Sequence, residues 1–147
     1  MKRRMIYGDE DAQALQGLQR HAKLLREGWD VVFLSTGQAV LEALEEGPCD
    51  VLVASASLPD VTPLALLRQA LQRHPACARI LLTGSGSASA VLPCVGLLHQ
   101  ASPRSRDPHH ILAMLANAMH VSTGLQSHPE LGAAIGSLER LPSMPQV

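Results

Sequence analysis

The chain has 147 residues, 46% hydrophobic and 17% charged, a size that suits one compact domain with a short extension and that buries roughly two thirds of the unfolded surface without help from a disulfide or metal. Twelve basic and thirteen acidic residues leave a formal charge of −1, and aromatics (Tyr7, Trp29, Phe33) make up only 2%, which argues against a nucleic-acid partner, a membrane footprint or a base-stacking surface. The three cysteines, Cys49, Cys77 and Cys94, form no CxxC pair and read as buried, reduced thiols of a cytoplasmic protein.

The basic start Met1-Lys2-Arg3-Arg4 leads into the apolar run Met5-Ile6-Tyr7, which Gly8-Asp9-Glu10-Asp11 ends too early for an export segment. No stretch approaches the roughly 18 apolar residues of a membrane-spanning helix. That run is the first predicted strand. Leu15, Leu18, Ala22 and Leu25 then share one helical stripe. Val31-Val32-Phe33-Leu34, after Glu27-Gly28, predicts a second strand, and Val40, Leu41 and Leu44 a shorter helix stopped by Glu45-Glu46-Gly47-Pro48. Val51-Leu52-Val53-Ala54 predicts a third strand. Thr62 caps and Pro63 opens the next helix, with Leu64, Leu67 and Leu71 as its stripe. Ile80-Leu81-Leu82, running into Thr83-Gly84, is the fourth strand. The Gly- and Ser-rich stretch from Ser85 to Ala90, followed by Pro93, predicts a short or irregular fourth helix. The run from Val95 to Leu98 is expected as the fifth strand, and Ile111, Leu115 and Met119, after Asp107-Pro108, mark a last core helix.

After His120 the pattern changes. Val121-Ser122-Thr123-Gly124 reads as a small polar hinge, and Leu131, Ile135 and Leu138 suggest a further helix beginning near Ser127-His128-Pro129-Glu130. The apolar, proline-spaced end Leu141-Pro142-Ser143-Met144-Pro145 reads as part of something longer. Strand followed by helix, repeated five times with right-handed crossovers, predicts an α/β protein: a flavodoxin-like, doubly wound, five-stranded parallel sheet with helices on both faces, plus a C-terminal helical extension. In such sheets ligands gather at the carboxyl ends of the strands. Those ends are Asp9-Glu10-Asp11, Ser55-Ala56-Ser57, Thr83-Gly84-Ser85 and Ala101-Ser102-Pro103.

Met5-Ile6-Tyr7-Gly8-Asp9-Glu10-Asp11, Cys49 to Pro59 and Arg79-Ile80-Leu81-Leu82-Thr83-Gly84 together resemble the receiver domain of two-component response regulators. The resemblance covers about residues 4 to 120, with Arg26 to Val31 and Leu66-Leu67-Arg68 adding to it. Five pocket positions follow from it. The two acids that hold a divalent cation in the family match Asp9 and Glu10. The phosphorylated aspartate is replaced by Ser55, the hydroxyl position of the fourth strand is matched by Thr83, and the lysine before the fifth-strand proline is replaced by Ser102 before Pro103. An aspartate there is both nucleophile and metal ligand, and a lysine supplies the charge opposite an incoming phosphoryl group. The resemblance therefore implies a degenerate receiver without aspartyl phosphotransfer, not an enzyme, with no cofactor beyond a vestigial, weak Mg2+ site at Asp9 and Glu10. Pro129-Glu130-Leu131, Gly136-Ser137-Leu138 and Leu141 to Pro145 resemble the opening of HDOD domains. This implies a receiver-like domain over 1–120, then a linker and the start of an HDOD-like domain over 121–147.

Each position also has a plainer explanation. Asp9-Glu10-Asp11 suits a helix N-terminus, and Thr83 suits a strand end whose backbone groups need a partner. The seven histidines form no ligand set; His99 reads as a packed, hydrogen-bonded side chain, and His74 suits a helix end. Arg104 and Arg106 either approach the pocket in place of the lysine or belong to a solvated loop. The leading expectation is a cytoplasmic signalling module whose partners are its own C-terminal output domain, a signalling protein or a second copy of itself. Its contact surface is expected at Ile111, Leu112, Met119, Leu131, Ile135 and Leu138. The alternative is a regulatory domain that binds a small anion or metabolite through Asp9, Glu10, Ser55, Thr83 and the Gly84-Ser85-Gly86 loop.

Overall fold

Parallel strands β1 (Arg3–Gly8), β2 (Trp29–Leu34), β3 (Val51–Ser55), β4 (Ala78–Thr83) and β5 (Gln100–Pro103) form one sheet in the order β2-β1-β3-β4-β5. They are joined through helices α1 (Ala12–His21), α2 (Gly37–Glu46), α3 (Pro63–Arg73), α4 (Ala88–Val91) and α5 (Pro108–Ser127). The computed structural model describes residues 3–21, 29–84, 88–103 and 107–127. The order reverses at β1, as the doubly wound, flavodoxin-like reading requires.

Strand alternation divides the core in two. Ile6, Leu52, Ala54 and Leu81 point to one face and pack with Val40 and Leu44 of α2 and Leu66, Leu67 and Ala70 of α3. Met5, Tyr7, Val51, Val53, Ile80 and Leu82 point to the other and pack with Leu15 and Leu18 of α1 and Ile111, Leu115, Ala118 and Met119 of α5. The central strands β3 and β4 are buried on both faces, which is why they read as unbroken apolar runs. Gly8 ends β1 against α2: a Cβ there would lie 2.7 Å from Val40 Cγ2. A side chain would push α2 off the sheet next to Asp9.

Local signals set the helix starts. Thr36 Oγ1 accepts Ala39 N at 3.1 Å, and Thr62 Oγ1 accepts Ala65 N at 3.2 Å, with Pro63 in the first turn of α3. Asp11 Oδ1 accepts Gln13 N and Ala14 N, both at 3.1 Å, so the third acid of the triplet is the cap of α1. Asp60, from the β3–α3 loop, adds a cap across space: its two carboxylate oxygens accept Gly37 N at 2.8 Å and Gln38 N at 3.0 Å. Those two backbone N–H groups, Gln38 first, hold the Asp60 carboxyl below its ordinary range.

Three expectations change. The run from Val95 to Leu98 is not the fifth strand: residues Leu92–Leu97 form a 3-10 helix, and β5 is the polar Gln100–Pro103. β5 is an edge strand, so it alternates instead of being apolar throughout, while Pro93 turns the preceding run into a tight coil that plugs the core with Cys94 and Leu98. α4 is correspondingly only four residues long, as the Gly, Ser and Pro content predicted. The polar hinge at 121–124 is instead helical, because α5 continues to Ser127 and Ser122, fully buried, donates its hydroxyl to Asp50 O at 3.1 Å. In α3 the buried residues are Pro63, Leu66, Leu67 and Ala70, with Leu64 and Leu71 of the expected stripe only half-buried. Ala22, Leu25, Arg104, Arg106, Leu131, Ile135 and Leu138 lie outside the described residues, as does residue 128 onward.

Candidate functional site

The strand register carries the five pocket positions to the carboxyl edge of the sheet. Gly8 pairs with Ala54, Ser55 with Leu82, Leu82 with Ser102, and Thr83 with Pro103. Ser55 and Ser102 therefore lie in one row with Leu82 between them. β3 and β5 are not adjacent, because β4 separates them, so a charge placed at 102 reaches position 55 only past Leu82. Asp9 follows β1 directly, and its N–H donates to Leu34 O at 3.0 Å.

Asp9, Ser55 and Ser102 each have a side-chain bond within two residues. Asp9 is buried, at 3% exposure, and its Oδ1 accepts Asp11 N at 3.0 Å. Glu10 is half-buried beside it. Ser55 is buried, at 1% exposure, and its Oγ accepts Ser57 N at 3.1 Å, a two-residue turn of the kind serine forms where a chain leaves a strand. Thr83 Oγ1 donates to Ser102 O at 3.4 Å, tying β4 to β5. Ser102 Oγ accepts Gln100 Nε2 at 2.8 Å from the same side of the same strand. The histidines that read as structural are structural: His99 Nδ1 accepts Arg79 N at 2.9 Å, and His74 Nε2 lies 2.8 Å from Leu44 O.

A hard divalent cation takes oxygen ligands in a nearly octahedral shell and binds in proportion to the carboxylates offered. Asp9 and Glu10 offer two. The third strand end offers a neutral hydroxyl already engaged with a backbone N–H. Among the described residues no three His, Cys, Asp or Glu side chains come together as a metal-holding group. The residues present do not fit a three-carboxylate magnesium site.

The sequence did not reveal a cavity of about 510 Å3 beside this edge, between the sheet and α5. Tyr7, Leu82, Ile111, Ala113, Met114 and Pro103 give it apolar walls, and Asp9, Gln100, Ser102 and His110 bring polar groups to it. Two of the five pocket positions, Asp9 and Ser102, thus face a space that Ser55, Thr83 and Glu10 do not line. The available signal was the alternation of Gln100 and Ser102, which the misplaced fifth strand concealed.

No family model matches the chain. The curated DNA-binding transcriptional regulator NtrC of Escherichia coli (strain K12) is 30% identical over 92 residues, which cover 63% of this chain and 19% of that protein. The chain thus spans about a fifth of that relative. Among solved structures, the adenylate cyclase from Rhodopirellula baltica superposes with a TM-score of 0.74 at 18% identity, covering 89% of this chain and 97% of that one. The response regulator receiver domain protein (CheY-like) from Methanospirillum hungatei JF-1 gives 0.72 at 18%, covering 84% and 98%. The signal receiver domain of an HD domain-containing protein from Pseudomonas fluorescens Pf-5 gives 0.71 at 22%, covering 84% and 99%. The fold is that of response regulator receiver domains.

Proposed function

We propose that the chain is a receiver-like regulatory module in signal transduction that acts by protein–protein contact, without aspartyl phosphorylation and without catalysis of its own. One observation carries the reading: at the strand end where the resemblance expects a phosphorylated carboxylate stands Ser55, buried, with its oxygen occupied by the Ser57 N–H. No base within hydrogen-bond reach of that oxygen is among its described contacts, and a neutral hydroxyl is a weak nucleophile without one. Thr83 and Ser102 bond to strand β5 itself, which suits a framework that no longer grips a phosphoryl group.

The receiver folds of the solved relatives and the HDOD-like residues after 128 support a cytoplasmic arrangement in which this domain precedes and regulates an output domain. None of the described helices is long and apolar enough to cross a membrane. The contact surface needs revision. Ile111 and Met119 are each 8% exposed and face the sheet, and Leu112 packs against the same core, because positions four apart on α5 form its core stripe. The large apolar side chains that face solvent among the described residues are Leu92, 71% exposed, and Val95, 52% exposed, on the 3-10 helix. The docking contact is assigned there.

Incubation with acetyl phosphate and magnesium, read by intact mass, is expected to leave the native chain unmodified, while Ser55→Asp gains one phosphoryl group. A stable phospho-form of the native chain overturns the reading. In a protein that joins this domain to an output domain, Leu92→Asp with Val95→Asp is expected to release the output domain; unchanged domain association moves the contact elsewhere.

A further inference from the structure

Cys49 and Cys77 lie side by side at the amino end of the sheet, with their sulfurs 3.4 Å apart. The backbone brings them there: Val51 is the register partner of Ala78, and Ala78 N donates to Asp50 O at 3.0 Å, so the segments that carry the two cysteines are already hydrogen-bonded neighbours. A covalent S–S bond of about 2 Å asks the sulfurs to approach by about 1.4 Å, a matter of side-chain rotation rather than strand movement. Both thiols are buried, at 4% and 1% exposure, yet each is the first buried position after a link from helix to strand. Pro48 is exposed immediately before Cys49, and Pro75 is exposed and Ala76 half-buried before Cys77. Neither cysteine belongs to a strand, since β3 begins at Val51 and β4 at Ala78. The third cysteine, Cys94, is also buried, but its Sγ donates to Ala90 O at 3.4 Å within its own segment.

We propose that Cys49 and Cys77 are a redox-sensitive dithiol that closes to an intramolecular disulfide when the domain meets a hydroperoxide and reopens when a small thiol reduces it. The chemistry balances in two steps. One cysteine, as thiolate, attacks the terminal peroxide oxygen; the O–O bond breaks, water or an alcohol leaves, and the sulfur, oxidised by two electrons, becomes a sulfenic acid. The second thiolate attacks that sulfur, the S–S bond forms, and hydroxide leaves and takes up a proton as water. Two molecules of a small thiol reverse the closure by exchange through a mixed disulfide and leave as their own disulfide. Burial pushes the Cys77 thiol up, which keeps the closed fold slow to react. Reaction therefore runs through brief opening of the two helix-to-strand links, a local event that leaves β3 and β4 paired. The bridge closes a covalent ring over residues 49–77, which contains β3, Ser55 and α3. None of this depends on the phosphorylation chemistry at Ser55 or on the contact at Leu92 and Val95.

The test exposes the reduced full chain to hydrogen peroxide under native conditions, then unfolds it in guanidinium with N-ethylmaleimide, and reads intact mass and a non-reducing peptide map. Before capping, the chain is expected to lose about 2 Da, the mass of two hydrogens. After capping it is expected to carry one maleimide, on Cys94, where the reduced chain, with its three free cysteines, carries three. The map is expected to contain the Cys49–Cys77 bridge, and dithiothreitol to restore all three cappable thiols. Oxidation in guanidinium is expected to give bridges to Cys94 as well, because only the fold sets which two sulfurs meet. Cys94→Ala is expected to keep the bridge and Cys77→Ser to abolish it; should either buried substitution fail to fold, the map of the native chain decides alone. Four results overturn the proposal: three cappable thiols after saturating peroxide, a gain of about 16 or 32 Da per thiol without a bridge, the same mixed pairings in native buffer as in guanidinium, or a bridge that dithiothreitol does not reopen.

Discussion

The two ends of the sheet are built from similar polar residues used in opposite ways. At the amino end, polar groups join elements that are far apart in sequence. Asp50 N–H donates to Arg4 O, its Oδ2 accepts Arg4 N, and its carbonyl accepts both Ala78 N and Ser122 Oγ, which fastens β1, β3, β4 and α5 at one residue. Arg79, 3% exposed, donates Nε to Leu97 O at 2.7 Å and Nη1 to Cys77 O at 2.9 Å. Cys49 and Cys77 fill the gap with their sulfurs 3.4 Å apart, and burial pushes the Cys77 thiol up, away from the reactive thiolate. At the carboxyl end the side chains of Asp9 and Ser55 each accept an N–H two residues ahead and Gln100 donates to Ser102 two residues on, while longer links run from Thr83 Oγ1 to Ser102 O and from the Asp60 carboxylate to the start of α2, and a cavity remains. Buried long-range bonds converge on Asp50 and Arg79 at the first end. At the second, the side chains of Ser55 and Ser102 bond within their own segments, and these are the positions expected to change without unfolding the domain.

If that contrast is right, substitutions at the amino end should cost far more than those at the carboxyl end. The largest effect is expected for Arg79→Met, which keeps an apolar stem but leaves the carbonyls of Leu97 and Cys77 without this donor. At about 1–3 kcal/mol per buried group left unpaired, the loss is expected near 3 kcal/mol in chemical denaturation. A neutral result would mean that desolvating the guanidinium cancels its bonds, as occurs in some buried ion pairs.

The next effect depends on pH. His99 Nδ1 must be unprotonated to accept the Arg79 N–H, and burial, then the Arg79 charge, lowers its pKa from 6.5 to about 4. Between these values the unfolded chain binds a proton and the folded chain does not. The stability that His99 contributes is therefore complete above about pH 6.5 and is lost progressively as the pH falls toward 4. Allowing for partial exposure, the change is about 2 kcal/mol. His99→Asn retains an acceptor near the Nδ1 position without titrating there, so its denaturation midpoints at pH 7 and pH 4.5 are expected to differ less than those of the native chain. Asp60 acts in a lower window: its depressed carboxyl contributes stability above the ordinary carboxyl value of 3.8 and loses that contribution as the pH falls below it.

Legibility in the sequence follows the same division. The central strands could be read because burial on both faces forces continuous apolar runs, α2 because Val40, Leu41 and Leu44 share one face before the Gly47-Pro48 stop, and α3 because Thr62 and Pro63 act on their immediate neighbours. β5 was misplaced by five residues because an edge strand carries no such run, and the nearby apolar run had another task in the 3-10 helix. The helical course of residues 121–127 was missed because serine and glycine usually weaken a helix; the Ser122 bond to Asp50 reaches across 72 positions and cannot be seen from local composition. The five pocket positions came from the resemblance to receiver domains, and the strand register puts Ser55, Thr83 and Ser102 at the carboxyl ends of their strands. The cavity was not, since it depends on how far α5 stands from β5.

Ser122→Ala tests the reach of the locked end at smaller scale. Asp50 O keeps its bond from Ala78 N, so the acceptor is not orphaned and the loss is expected near 1 kcal/mol, at the lower end of the range for buried hydrogen bonds. Truncation after residue 127 leaves this bond intact and is expected to leave the midpoint unchanged; truncation after 120 removes it and should lower the midpoint by at least as much as the alanine variant.

The smallest effect is expected where the resemblance puts the chemistry. Ser55→Ala removes a hydroxyl from a fully buried strand end, a change that at a bonded core position usually costs 1 kcal/mol or more. Here the group that loses its partner is the N–H of Ser57, an exposed residue, and water can replace the serine oxygen with little penalty. The strand itself is held by a separate bond, Ala56 N–H to Leu82 O at 2.8 Å, which the substitution does not touch. The expected loss is therefore about 0.5 kcal/mol, within the range of ordinary surface changes, and guanidinium denaturation of the variant should nearly overlay that of the native chain. A loss as large as that of Arg79→Met would show that the carboxyl end is also fixed by Ser55, and the division between a locked end and a permissive one would fail.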